Sequence, residues 1–295
     1  MPELPDLTVY LEHVEAAAKG ATLNRLRIGH PFVLRSVTPR PEDFAGRRLL
    51  GTERIGKRLA LEFEGEYFAV IHLMILGRLH WKKSGVALPK GSGLAAFDFE
   101  NGTLMLVEHG KKRRASLHLV ARREDLRTFD RGGLEVFAID LPAFAATLTR
   151  ENHTLKRALT DPRMLSAIGN AYSDEILHRA RLSPFKQTRA LDDEEMRRLF
   201  DATRAVLREW TGRLRTAAGA RWPEKVTAFH PEMAAHGRYK QPCPVCGAPI
   251  QRIVYADNEA NYCARCQTEG RLLADRALSR LLKDNWPRTL DELEQ

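Results

Sequence analysis

Residues 243–266 read CPVCGAPIQRIVYADNEANYCARC and hold all four cysteines of the chain. They form two C-x-x-C pairs, Cys243/Cys246 and Cys263/Cys266, with sixteen residues between the pairs. A C-x-x-C turn presents two sulfurs to one side, and two such turns complete a tetrahedron around Zn²⁺. The spacing falls within the roughly 15–20 residues of four-thiolate sites. Two disulfides are the alternative. No further cysteine exists and the N-terminus lacks a basic-then-apolar leader, so one zinc ion is the expected occupant. Protein sulfurs fill all four positions and leave none for a catalytic water, which makes the ion structural. The stretch between the pairs is long enough for a β-hairpin, and the window reads as a zinc ribbon.

Outward from the ribbon, the chain is of ordinary globular composition. Its 295 residues are 43% apolar and 29% charged, enough for more than one domain with a buried core. No apolar run approaches the ~20 residues of a membrane span. A cytoplasmic protein without a membrane partner is expected. Forty-seven Lys and Arg against 38 Asp and Glu give a formal charge of +9. Such an excess suits a polyanion, because each Lys or Arg that neutralises a phosphate releases counterions.

Residues 6–19 place Leu7, Tyr10, Leu11, Val14 and Ala18 at helical spacing, with Gly20 as a stop. Then RLALEFEGEYFAVIHLM (58–74) and LAAFDFENGTLMLVEH (94–109) each give two apolar runs around a turn, the second at Asn101-Gly102. Residues 21–137 thus read as an antiparallel β-sandwich or barrel. From about 141 the pattern is helical. In DDEEMRRLFDATRAVLREWTGRL (192–214), Asp192 or Asp193 caps a helix with Met196, Leu199, Phe200, Ala205, Val206 and Trp210 on one face. Leu273, Ala277, Leu278, Leu281 and Leu282 suggest a last helix. The expected class is α+β and multidomain. Its segments are a helix and sandwich over 1–137, a helical module over 138–235, the ribbon over 236–270 and a helical extension over 271–295.

The chain begins MPELPD. Pro5 and Asp6 can simply start a helix. Alternatively the terminus is a reagent, since removal of Met1 exposes the secondary amine of Pro2 beside Glu3. Four pieces in order, PELPD (2–6), IGKRLALEF (55–63), AIGNAYSDEIL (167–177) and the cysteine window, resemble the formamidopyrimidine-DNA glycosylase/endonuclease VIII family of bifunctional DNA-repair enzymes. The resemblance spans roughly residues 1–270. It implies a β-sandwich, a helix–two-turn–helix module and a zinc ribbon, with damaged double-stranded DNA as partner. A monomer associated with the nucleoid is expected. It also implies that Pro2 attacks C1′ of a damaged nucleotide and that Glu3 is the acid/base. Lys57 would be the proton donor near the phosphate, and Asn170 and Lys156 would be DNA contacts.

The pattern departs in three places. The family arginine five residues before the third cysteine is Asn258 here. His-Leu-Gly-Met is HLMI at 72–75, leaving Met74 or Ile75 as the wedge. Arg-Arg-Phe-Gly is RRAS at 113–116, so Arg113 or Arg114 remains to reach the opposite base while Ala115 replaces the phenyl ring. The expected activity is a DNA glycosylase with AP lyase action on oxidised or ring-opened bases. The alternatives are a weak or inactive DNA-binding member and an enzyme for bulky or cross-linked lesions.

Overall fold

The helical spacing of Leu7, Tyr10, Val14 and Ala18 becomes helix α1, Leu4–Ala18. The computed structural model describes residues 1–110, 112–224, 230–255, 258–274, 280–281 and 287–293. Gly20 follows the helix with φ +83°, a left-handed turn that suits glycine. Eight strands come next: β1 Leu23–Ile28, β2 Leu49–Ile55, β3 Arg58–Phe63, β4 Tyr67–His72, β5 Gly77–Lys82, β6 Gly93–Phe99, β7 Gly102–Glu108 and β8 Ser116–Val120. They pair antiparallel in two four-stranded sheets, β1-β6-β7-β5 and β2-β3-β4-β8. This is the sandwich alternative of the sequence reading.

Strand alternation explains the layers. Leu59, Leu61, Phe63, Ala69 and Ile71 join Phe97, Phe99, Leu104 and Leu106 in one core with Leu7, Tyr10 and Val14 of α1. The intervening Ala60, Phe68 and Val70 form a second apolar layer on the outer face, with Leu126 and Phe129 over it. The β6–β7 turn lies one residue earlier than Asn101-Gly102 suggests, because Phe99 pairs with Gly102. Gly102 is needed for another reason: a Cβ there would stand 2.3 Å from the Trp81 ring.

Contacts divide the chain into two units, Met1–Arg131 with Trp210–Ala228, and Gly132–Glu209 with Phe229–Gln295. The chain-order reading put residues 210–224 with the helical module. The indole N–H of Trp222 donates to the Leu79 carbonyl at 2.7 Å and its ring stacks on Trp81 at 6.2 Å, so this segment belongs with the sandwich.

The second unit holds α2 Leu141–Thr149, α3 Leu155–Thr160, α4 Asn170–Ala180 and most of α5, Asp193–Ala218. Asp192 caps α5: its carboxylate accepts the Glu195 N–H at 2.8 Å, and Glu195 accepts the Asp192 N–H at 3.2 Å. Met196, Leu199, Phe200, Val206 and Trp210 are buried. Ala205 is exposed, and Ala202 occupies the buried stripe in its place. The hairpin of β9 Ile250–Tyr255 and β10 Asn258–Cys263 follows, then the short helix α6 Ala264–Thr268. Of the expected last helix, Leu273 packs on the ribbon core and Leu281 is 77% exposed. Ala277, Leu278 and Leu282 lie outside the described residues. The extension returns to the ribbon through Leu290, which is buried in its core. No described helix is long and apolar enough to cross a membrane.

Candidate active site and zinc centre

Pro2 and Glu3 are both buried at the start of α1. Asp6 fixes them: its Oδ2 accepts the Glu3 N–H at 2.9 Å, the reciprocal half of an N-terminal capping arrangement. Asp6 is 1% exposed, and its Oδ1 has no hydrogen-bond partner among the described residues. Burial pushes this carboxyl up to about 7. The chain's terminal amine, here that of Met1, is held below its ordinary value chiefly by burial. Glu3 and Asp6 oppose that shift, while Arg78 and Lys57 reinforce it. Two cations and two carboxyl groups thus act on the chain end.

Each partner is placed by a turn. Lys57 occupies the two-residue turn between β2 and β3, closed by the Ile55–Arg58 pair, with Gly56 at φ +58°. Arg78 donates to the carbonyls of Ile75 at 3.0 Å and Gly77 at 2.7 Å, ordering the β4–β5 turn. In that turn Met74 adopts φ +53°, a conformation L side chains rarely take, whereas Ile75 is 54% exposed. Between β7 and β8, buried Glu108 accepts the N–H groups of Arg114 at 2.8 Å and Ala115 at 2.9 Å. Arg113 reaches back to the Gly91 carbonyl, and Arg113 and Arg114 are both exposed. Ala115 is buried at 3% exposure.

In the second unit, Asn170 is the first residue of α4, after Gly169 at its N-cap. Lys156 is only 9% exposed. Its ammonium donates to the Asn170 carbonyl at 2.7 Å and pairs with Asp174 Oδ1 at 2.5 Å. The other Asp174 oxygen meets His236 Nδ1 at 2.8 Å and Asn261 Nδ2 at 3.3 Å. Lys156, expected as a DNA contact, has its ammonium held by Asp174 one turn into α4. Beside it, Glu175 accepts the N–H groups of Ala234, Ala235 and His236 at 2.8–2.9 Å. Asp174 and His236 are 62 residues apart, and no spacing signal joins them. The Asn258 backbone pairs with Tyr255 at the hairpin tip; its side chain lies outside the described residues.

The four sulfurs of Cys243, Cys246, Cys263 and Cys266 lie within 4.8 Å of one another. Cys243–Cys266 and Cys246–Cys263 are 3.9 and 3.4 Å apart. A tetrahedron with Zn–S bonds of about 2.3 Å has edges of roughly 3.8 Å, so the donor set fits one structural zinc. Val245 and Cys266 donate backbone N–H groups to the sulfurs of Cys243 and Cys263 at 3.4 and 3.5 Å. His178 Nε2 lies 3.3 Å from the Cys243 sulfur, an outer contact that orients the ligand.

Three family models match in chain order. They are the formamidopyrimidine-DNA glycosylase N-terminal domain over 1–129, the formamidopyrimidine-DNA glycosylase H2TH domain over 135–214, and the zinc finger found in FPG and IleRS over 240–268. The formamidopyrimidine-DNA glycosylase of Thermus thermophilus is 35% identical over 279 residues, covering 92% of this chain and 100% of that protein. The crystal structure of the Thermus thermophilus MutM (Fpg) protein superposes with a TM-score of 0.75 at 32% identity, covering 90% of this chain and 98% of that one. Lactococcus lactis Fpg, solved in complex with DNA containing an abasic site, shares the fold at TM-score 0.80 and 21% identity, with 90% and 99% coverage. The chain belongs to the formamidopyrimidine-DNA glycosylase family of zinc-finger DNA-repair glycosylases.

Proposed function

We propose that this chain is a bifunctional DNA glycosylase with AP lyase activity, working as a monomer on oxidised or ring-opened bases everted from duplex DNA. After Met1 is removed, the Pro2 nitrogen attacks C1′ of the damaged nucleotide. The C1′–base bond breaks and the base departs. Glu3 donates a proton to the ring oxygen as the sugar opens, leaving Pro2 joined to C1′ as an iminium. A secondary amine gives an iminium that is cationic without a proton, so it draws electrons when a C2′ proton is removed and the 3′ phosphate is expelled. Lys57 donates a proton near that phosphate.

The observation that carries this reading is the buried chain end, whose amine is held below its ordinary value by burial and by Arg78 and Lys57. The same surroundings favour the free base of Pro2, the form that attacks. Asn170 at the start of α4 and the exposed Arg113 and Arg114 are the proposed DNA contacts, with Ile75 as the wedge. Asn258 is proposed as a weaker contact than the arginine it replaces.

The test is borohydride trapping on a duplex with an abasic site. The wild type is expected to give a covalent adduct, Pro2→Gly much less, and a chain with a blocked, extended N-terminus none. Equal trapping by the blocked chain would assign the nucleophile to a lysine. A second reading, specialisation for bulky or cross-linked lesions, is favoured by Ala115, a buried methyl where the family pattern carries a phenyl ring. An incision panel over single-lesion duplexes separates the two.

A further inference from the structure

We propose that Arg58 and His118, with Arg35 and Arg131 at the rim, form an anion site on the outer face of the β2-β3-β4-β8 sheet that takes a phosphate group of the DNA backbone. The proposal rests on the chain's acting on DNA and adds a contact to the set given above.

Register places the parts together. Val70 pairs with His118 and His72 with Ser116, so His118 stands one row from His72 on the face that carries Phe68 and Val70. Arg58 opens β3 beside them, and the Phe129 ring covers both side chains. It meets the His118 ring edge-on at 5.0 Å and lies 5.7 Å from the Arg58 guanidinium. Both residues are half-buried, whereas Arg35 and Arg131 are exposed.

Glu53 and Glu62 on this face are taken by Arg123, and the charges that act on Arg58 and His118 are cations. Among the described residues, Arg131 acts on Arg58, and Arg58 and Arg35 act on His118, with no carboxylate among the causes. Burial, Arg58 and Arg35 hold His118 below its ordinary value, and burial, Arg58, Lys57 and His118 bring His72 down to about 4. Hydrogen bonding is equally incomplete. Of the five N–H bonds of the Arg58 guanidinium, one meets a protein acceptor among the described residues, the Phe129 carbonyl at 3.3 Å. Arg58 Nε and His118 Nδ1 are sealed from solvent without partners. A half-buried guanidinium such as Arg58, with spare donors and no carboxylate partner among the described residues, is costly in a folded chain, and a phosphate at the rim supplies the charge and accepts its N–H bonds.

A stacking role alone predicts something different, so two measurements decide. In the first, the ring signals of His118 are followed by NMR while orthophosphate is added to the full chain. A saturable shift is expected in the wild type and its loss in Arg58→Gln; no shift in the wild type overturns the site. In the second, binding to an abasic duplex is measured against salt. Losing one phosphate contact should lower the slope of log K against log salt by about 0.9 for Arg58→Gln, with a smaller decrease for the exposed Arg131→Gln. Unchanged slopes in both variants, with orthophosphate still shifting His118, would assign the site to free phosphate and overturn the DNA assignment. Should Arg58→Gln fold poorly, Arg131→Gln carries the second measurement. Neither measurement needs Pro2, so failure of the trapping experiment and failure of this site are read apart.

Discussion

Asp6 shows how one buried group can carry both structure and pH dependence. Its carboxyl, pushed up to about 7 from 3.8, keeps a proton in the folded chain that the unfolded chain releases. Its contribution to stability is therefore complete below its unfolded value and is lost as pH rises through 7. Asp6→Asn removes the titration and keeps an oxygen for the Glu3 N–H. The advantage of the variant over wild type in urea unfolding should grow by on the order of 2 kcal/mol between about pH 5 and pH 8. An advantage equal at both values would place the retained proton elsewhere. Asn258 makes a second prediction at this scale. A cation beside the 5′ phosphate assists its expulsion, and losing such a contact costs about 2–4 kcal/mol, roughly 10²–10³ in that step. Incision of an abasic duplex should accumulate 3′-unsaturated aldehyde ends, and Asn258→Arg should shift the products to 3′-phosphate. End-group analysis on a sequencing gel checks it, and early 3′-phosphate from the wild type would contradict it.

Between elements, the Lys156–Asp174–His236–Asn261 network binds α3 and α4 to the 233–236 loop and to β10. Removing one member of a buried pair strands the other charge, at a cost of about 3–5 kcal/mol. Asp174→Ala should therefore destabilise the second unit by that order, measured by denaturant unfolding. Lys156→Met should leave the salt slope of DNA binding unchanged, because an ammonium held by Asp174 releases no counterions from phosphate; a slope lower by about 0.9 would make it a direct contact. What sequence could reach follows the same division. The hairpins, the α5 cap and the four cysteines are local patterns, and period and spacing express them. Asn101-Gly102 was legible as a turn but not in register, since Gly102 answers to the Trp81 ring. Pro2, Glu3 and Lys57 stood out because short motifs carry them. Asp174 and Asn261 are 87 residues apart, and only the fold makes them neighbours.

Across the whole molecule, the two units have their own interiors, and zinc serves only one of them. Cys263→Ser should release the ribbon hairpin and weaken DNA binding while the sandwich keeps its cooperative transition. Calorimetry of the variant, with zinc content measured alongside, checks this; intact binding by a zinc-free protein would contradict it. The division also has a consequence in time. Trp222, which covers Trp81 and bonds to Leu79, is synthesised only after the 132–209 stretch of the other unit. At roughly 5–20 residues per second, a ribosome finishes the eight strands on the order of ten seconds before it delivers that indole. For that interval the nascent sandwich has an apolar notch beside Trp81, so a chaperone that holds exposed aromatic surface has its chance before the second unit exists.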